Sequence, residues 1–180
     1  MGCDIHAVWQ AKKDGKWIDV ESTWDQGRHY LLFSWLANVR NGYGFAGIPT
    51  YAPIKPITEL RGLPNDFEYD EDRRMGDHSF SWLTADEILS AQRPGELQQT
   101  GVVTKAVYDA WDGKTPFESW VGHVLGGSTL VANSAAEIVP QTTHVRVNWK
   151  SDDGLDYFVG EVCRLKELHG EVRIVFGFDS

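Results

Sequence analysis

The hydrophobic period of this chain changes at Gly170, and that change constrains its fold more than any other feature. Before the glycine, Leu155, Phe158, Val159, Val162, Leu165 and Leu168 recur on one helical stripe. After it, Val172, Ile174, Phe176 and Phe178 alternate as one face of a strand over 171–178. Glycine is the residue that most readily takes the left-handed turn closing a helix, so the switch and the residue agree. Upstream, 144–149 alternates as another strand, and Asp152-Asp153-Gly154 supplies a turn and a helix cap. The ending reads strand, helix, strand.

The N-terminal end carries a second clear pattern. Residues 3–10 alternate, with Ile5, Ala7 and Trp9 on one face and Asp4, His6 and Val8 on the other, and Asp14-Gly15 turns the chain into 16–20. Leu31, Leu32, Trp35, Leu36 and Val39 predict a helix over 30–39 that stops near Arg40-Asn41-Gly42. Residues 42–66 are rich in glycine and proline and read as an irregular loop, followed by a charged, solvated stretch over 66–74. Thr84 and Glu87 have capping-box spacing and open a helix through Ala91, ended by Arg93-Pro94-Gly95. A further helix starts after Thr104 and ends near Asp112-Gly113, whereas 113–140 gives mixed signals, with 121–125 and 134–139 short and ambiguous. These elements predict an α+β fold: one domain over 1–180, with a mostly antiparallel sheet that contains the N-terminal hairpin and the C-terminal strands and is covered by helices. Two small subdomains divided near residue 95 are the alternative.

Composition narrows the partners. A chain of 180 residues is long enough to bury roughly 70% of the surface its unfolded form exposes. Its net charge of −9 opposes attraction to extended nucleic acid, which needs a positive field over many phosphates. A local arginine cluster can still receive a small anion. Cys3 and Cys163 are too few for a disulfide scaffold or a thiolate zinc site and fit a reducing compartment. No apolar run approaches the ~18 residues of a membrane span, and no basic region with an apolar stretch follows Met1. The expectation is a cytoplasmic protein without membrane contact.

Three groups of residues are candidates for chemistry. Asp4 and His6 lie two apart on a strand and so share a face, where a carboxylate and an imidazole can bind a divalent metal, act as an acid–base pair, or simply hydrogen-bond. Asp77-His78-Ser79-Phe80-Ser81-Trp82 precedes the capped helix at Thr84, a position suited to meeting an anion or to forming a polar turn anchored by Trp82. Neither serine sits in a nucleophile-elbow pattern. Arg28 and Tyr30 enter the first predicted helix, Arg40 and Asn41 leave it, and Arg61 lies in a Gly-Leu-Pro turn. Arginine offers a planar fork to phosphate or carboxylate, and an aromatic ring offers a stacking face, although surface ion pairing accounts for such arginines equally well. Gly42-Tyr43-Gly44-Phe45-Ala46-Gly47 matches G-x-G-x-x-G without the flanking strand and helix of a dinucleotide site. His29, His123, His144 and His169 show no ligand spacing.

The motifs Met1-Gly2-Cys3-Asp4-Ile5-His6, Arg28-His29-Tyr30-Leu31-Leu32-Phe33, Val39-Arg40-Asn41-Gly42, Arg61-Gly62-Leu63-Pro64 and His78-Ser79-Phe80-Ser81-Trp82, with the terminal Val172 to Asp179 segment, resemble a family of uncharacterised bacteriophage and prophage proteins that begin MGCDIH. The resemblance implies action in a host cytoplasm, where small accessory proteins sequester or cleave nucleotide signals. Gly177 departs from the family's bulky aromatic, which implies a wider pocket or an altered floor. The leading expectation is a protein that binds a small anionic, nucleotide-like ligand through Asp4, His6, Arg28, Tyr30, Arg40, Asn41, Arg61, His78 and Trp82, with no cofactor. One alternative is a phosphodiesterase whose divalent metal is held by Asp4, His6, Asp77, His78 and Asp179, which requires adjacent first and last strands. Another is an interaction module that uses exposed aromatics, for which eight Trp offer material.

Overall fold

The computed structural model describes residues 2–44, 47–69, 75–124 and 126–180, so parts of the 42–47 motif, the 66–74 stretch and the 121–125 segment lie outside the described residues. The fold is α+β, and the chain divides into two compact units. The first comprises Met1–Asn41, Ile54–Arg93 and Gly154–Ser180, and the second Gly42–Pro53 and Pro94–Asp153. The division is not a single cut near residue 95, because 42–53 leaves the first unit and 154–180 returns to it. No helix among the described residues is long and apolar enough to cross a membrane.

The first unit is built on a four-stranded sheet. Strands β1 (Asp4–Lys13) and β2 (Lys16–Val20) form the expected hairpin, and β7 (Val172–Asp179) pairs antiparallel with β1 and with β3 (His78–Thr84), in the order β2-β1-β7-β3. Helices α1 (Tyr30–Ala37), α2 (Ala85–Ser90) and α4 (Asp156–His169) cover one face. There Leu32, Phe33 and Leu36 of α1 and Phe158, Val162 and Leu165 of α4 pack on Ile5, Trp9, Ile174, Phe176 and Phe178. The opposite face is also covered: Val175 packs with Phe67 and Met75 of the preceding loop. Strand β7 is therefore buried from Val172 to Phe178, as a central strand with both faces occupied must be.

Local chemistry explains the helix ends. The hydroxyl of Thr84 accepts from the Glu87 amide while the Glu87 carboxylate accepts from the Thr84 amide, so α2 has the full capping box its spacing predicts. Helix α1 is buried from Leu31 to Ala37, and its one polar interior side chain, Ser34, donates to the Tyr30 carbonyl at 2.7 Å. It ends earlier than its apolar pattern implies because Asn38 takes a left-handed conformation, with φ 59°. Helix α4 begins at Asp156 with no side-chain cap. The expected cap is absent because Asp153 instead accepts from the Gly95 amide at 3.0 Å.

Strand β3 has no clean alternation in sequence because it is bulged. Its register with β7 shifts between His78 and Ser81, and Ser79 has φ 54°, which breaks the two-residue period. The second unit holds a three-stranded sheet of β4 (Leu97–Thr104), β6 (His144–Ser151) and the short parallel strand β5 (Val131–Ala132), in the order β4-β6-β5, with α3 (Lys105–Asp109) beside it. Of the two C-terminal strands expected beside the hairpin, only β7 lies there, since β6 pairs with β4 in this second sheet. Val103, Val145, Val147 and Trp149 form its core, with Trp111, Phe117 and Trp120 against them.

Candidate functional site

The antiparallel pairing of β1 and β7 places Asp4 opposite Asp179 and His6 opposite Gly177, so the first strand begins where the last one ends. Strand β3 adds His78 opposite Phe178 at the same end of the sheet. His6 Nε2 lies 2.8 Å from Asp179 Oδ2, and the Asp4 amide donates to Asp179 Oδ1. His78 stacks on Phe178, with Nδ1 2.9 Å from Ser79 Oγ and Nε2 3.0 Å from Ser180 Oγ. The bulge at Ser79 re-aims this imidazole toward the strand end.

The flanks of α1 supply the cations. Arg28 donates from Nε and Nη2 to the two oxygens of Asp4, a bidentate pair exposed to solvent. Hydrogen bonding to Arg28 holds the Asp4 carboxyl below the usual carboxylate range, and the same bonds raise the Arg28 guanidinium. The Arg40 guanidinium stands 5.7 Å from the centre of the Tyr30 ring. The Tyr30 hydroxyl is enclosed, with no hydrogen-bond partner among the described residues. Burial pushes the Cys3 thiol up, against opposing interactions with Ser180 and Arg40. That makes Cys3 a packed thiol and not an activated nucleophile.

A cavity of about 220 Å³ opens beside Arg28. Trp24, Leu32, Leu155 and Phe158 form its apolar wall, and Asp25, Arg28, His29 and Tyr157 stand at its polar positions. His29 also caps α1, accepting at Nδ1 from the Leu32 amide at 3.0 Å, so its proton sits on Nε2 while the cap is made. The segment 23–25 is tied to α4 through Tyr157, whose hydroxyl accepts from the Asp25 amide and donates to the Thr23 carbonyl.

The sequence-derived candidates thus separate. Asp4, His6, Arg28, Tyr30, Arg40, His78 and Asp179 gather at one end of the sheet. Asn41 does not face a ligand, because its side-chain amide donates to the Ile54 carbonyl and accepts from the Ile54 amide, closing the neck where 42–53 departs. Arg61 is bonded bidentately to Glu87 and lies 4.9 Å from the centre of the Trp82 ring, further along β3. These two residues brace the sheet. Asp77 is largely exposed, its carboxylate 3.9 Å from His78 Nε2.

The five residues expected to share a metal do not form one ligand set: among the described residues no group of three or more His, Cys, Asp or Glu side chains could hold a metal ion. Both Asp4 oxygens are engaged by a guanidinium that a metal would have to displace. Gly177 does not widen a pocket either, since a Cβ there would meet the Met75 carbonyl and the Phe80 ring. The glycine lets the chain before β3 cross β7 closely, as does Gly76, whose Cβ would strike the Phe178 backbone. The residues that sequence reasoning missed are Trp24, Asp25, His29, Tyr157 and Phe158, which form the cavity. Only His29, directly before a helical pattern, carried any local signal, that of a cap position. No family model, curated protein or solved structure matches the chain.

Proposed function

We propose that the protein binds, without transforming it, a small nucleotide-like molecule carrying a single anionic group. The observation that carries this reading is the gathering of Arg28, Arg40, Tyr30, His6 and His78 at one end of the sheet, where Arg28 also lines a cavity with an aromatic wall. Charge limits the ligand. Arg28 already shares its charge with Asp4, and Asp179 is adjacent, so a polyphosphate would face two carboxylates. One anionic group is what the remaining guanidinium edge can accept. In the phage setting implied by the N-terminal motif, such binding would sequester a host signal.

The metal-dependent phosphodiesterase has less support, because Asp4 is bonded to Arg28 and His78 to Ser79 and Ser180, and among the described residues no group of three or more ligand side chains could hold a metal ion. An aromatic docking patch would have to rest on Tyr43, Tyr69 and Tyr157, since none of the eight Trp is exposed. Calorimetry and thermal shift with nucleoside monophosphates, cyclic nucleotides and ADP-ribose test the proposal. We expect binding by the native chain, loss of binding in Arg28→Ala and retention in Arg61→Ala. Absence of binding across the panel by the folded native protein sinks it.

A further inference from the structure

The cavity beside Arg28 allows the ligand class to be narrowed, in a step that rests on the reading just given. We infer that it receives the ligand's base, and that this base presents two adjacent N–H donors next to a carbonyl, the edge of guanine.

Size sets the first limit. At about 220 Å³, the cavity falls below the ~300–1,000 Å³ of pockets that enclose drug-sized ligands. It fits one base with little beyond it, which excludes enclosure of a dinucleotide. The wall sets the second. Trp24 and Phe158 pack edge to face with ring centres 5.1 Å apart, and Leu32 and Leu155 complete an apolar lining suited to a flat ring.

The polar residues choose among rings. Asp25 lines the cavity, and its carboxylate has no hydrogen-bond partner among the described residues, while its own backbone is held by the Tyr157 hydroxyl. A carboxylate accepts only, and its two oxygens match two neighbouring N–H donors. Guanine presents that pair on its Watson–Crick edge. Adenine and cytosine each set an acceptor nitrogen beside their amino group, which would confront the carboxylate. Uracil offers one N–H flanked by carbonyls. Arg28 also lines the cavity and keeps the edge left over from its pairing to Asp4 for the anionic group, so the base is chosen by Asp25. The same arginine argues against a quaternary ammonium guest, which the aromatic wall alone would tolerate, because two cations would share the cavity.

Calorimetry with guanosine 5′-monophosphate, adenosine 5′-monophosphate, uridine 5′-monophosphate and cyclic diguanylate tests this. We expect guanosine monophosphate to bind at least tenfold more tightly than the other two monophosphates, and Asp25→Asn to bring the three within about threefold of one another, in line with the selectivity lost when a polar partner is removed. Leu32→Trp, which fills the cavity, removes guanosine monophosphate binding, with folding verified by circular dichroism. Tyr157→Phe keeps the ring, frees the Asp25 backbone and reduces the preference. Equal affinity for the three monophosphates in the native chain, a preference unchanged by Asp25→Asn, or tighter binding of cyclic diguanylate overturns this inference and leaves the broader binding reading standing. Failure of every nucleotide to bind overturns both.

Discussion

Two arginines bonded to the same sheet have opposite fates. Arg173 is 3% exposed. It donates from Nε to Gln10 Oε1 and pairs through Nη1 with Asp66, both at 2.9 Å, and its guanidinium stands 4.3 Å from the centre of Trp17 and 5.9 Å from that of Trp82. With Lys12 over Trp17 and Arg61 over Trp82, the cations and rings alternate across the sheet. Arg28, by contrast, is exposed and held by one carboxylate at the rim of a cavity. Burial commits an arginine to structure, because every partner it loses leaves a desolvated group behind. Exposure lets an arginine exchange a carboxylate for a ligand at little cost, since water screens both states.

The comparison can be broken most severely at Arg173. Arg173→Ala removes the packing between Trp17 and Trp82 and takes the donor from the buried Gln10 Oε1, and should cost about 3 kcal/mol in urea unfolding. A loss below about 1 kcal/mol would show that the stacked cations add nothing.

Glu161 extends the contrast to a carboxylate. It is 5% exposed, and hydrogen bonds from Arg164, Ser22 and Thr23 hold its pKa at about 2. A carboxyl depressed in the folded state contributes stability that is complete above its unfolded value and fades as pH falls toward the folded one. Roughly 2–3 kcal/mol should therefore disappear between about pH 4.5 and pH 2. Glu161→Gln should flatten that part of the pH–stability curve, and an unchanged slope would assign the acid sensitivity elsewhere.

The smallest effect belongs to Arg28. Arg28→Ala should leave the urea midpoint unmoved while removing ligand binding. If it destabilises the fold as Arg173→Ala does, the pair with Asp4 is a structural clamp and the comparison collapses.

Parts of this arrangement were legible early because they are local. The hairpin at Asp14-Gly15, the Thr84–Glu87 capping box and the helical stripe before Gly170 each depend on residues within a few positions of one another, although Leu168 of that stripe is exposed. The same-face pairing of Asp4 and His6 was legible for that reason too. Strand β3 was not, because the bulge at Ser79 erases the alternation that reveals a strand. Nor did 144–149 disclose its partner: its alternation specifies a strand with one buried face, and any sheet edge with a matching face satisfies that.

The sequence by itself determined the α+β class, most helix starts and stops and the two ends of the central strand pair, since propensity, capping and periodicity act over short separations. Only the tertiary structure decided which candidates meet. It set the register that brings Asp4 to Asp179, diverted Arg61 and Trp82 to Glu87 and Arg173, assigned Asn41 to the Ile54 backbone, and assembled Asp25, Phe158 and Tyr157 around a cavity. Those outcomes depend on long-range packing of side chains whose neighbours lie far away in the chain. The same arginine is a rim cation or a buried pillar according to what folds over it.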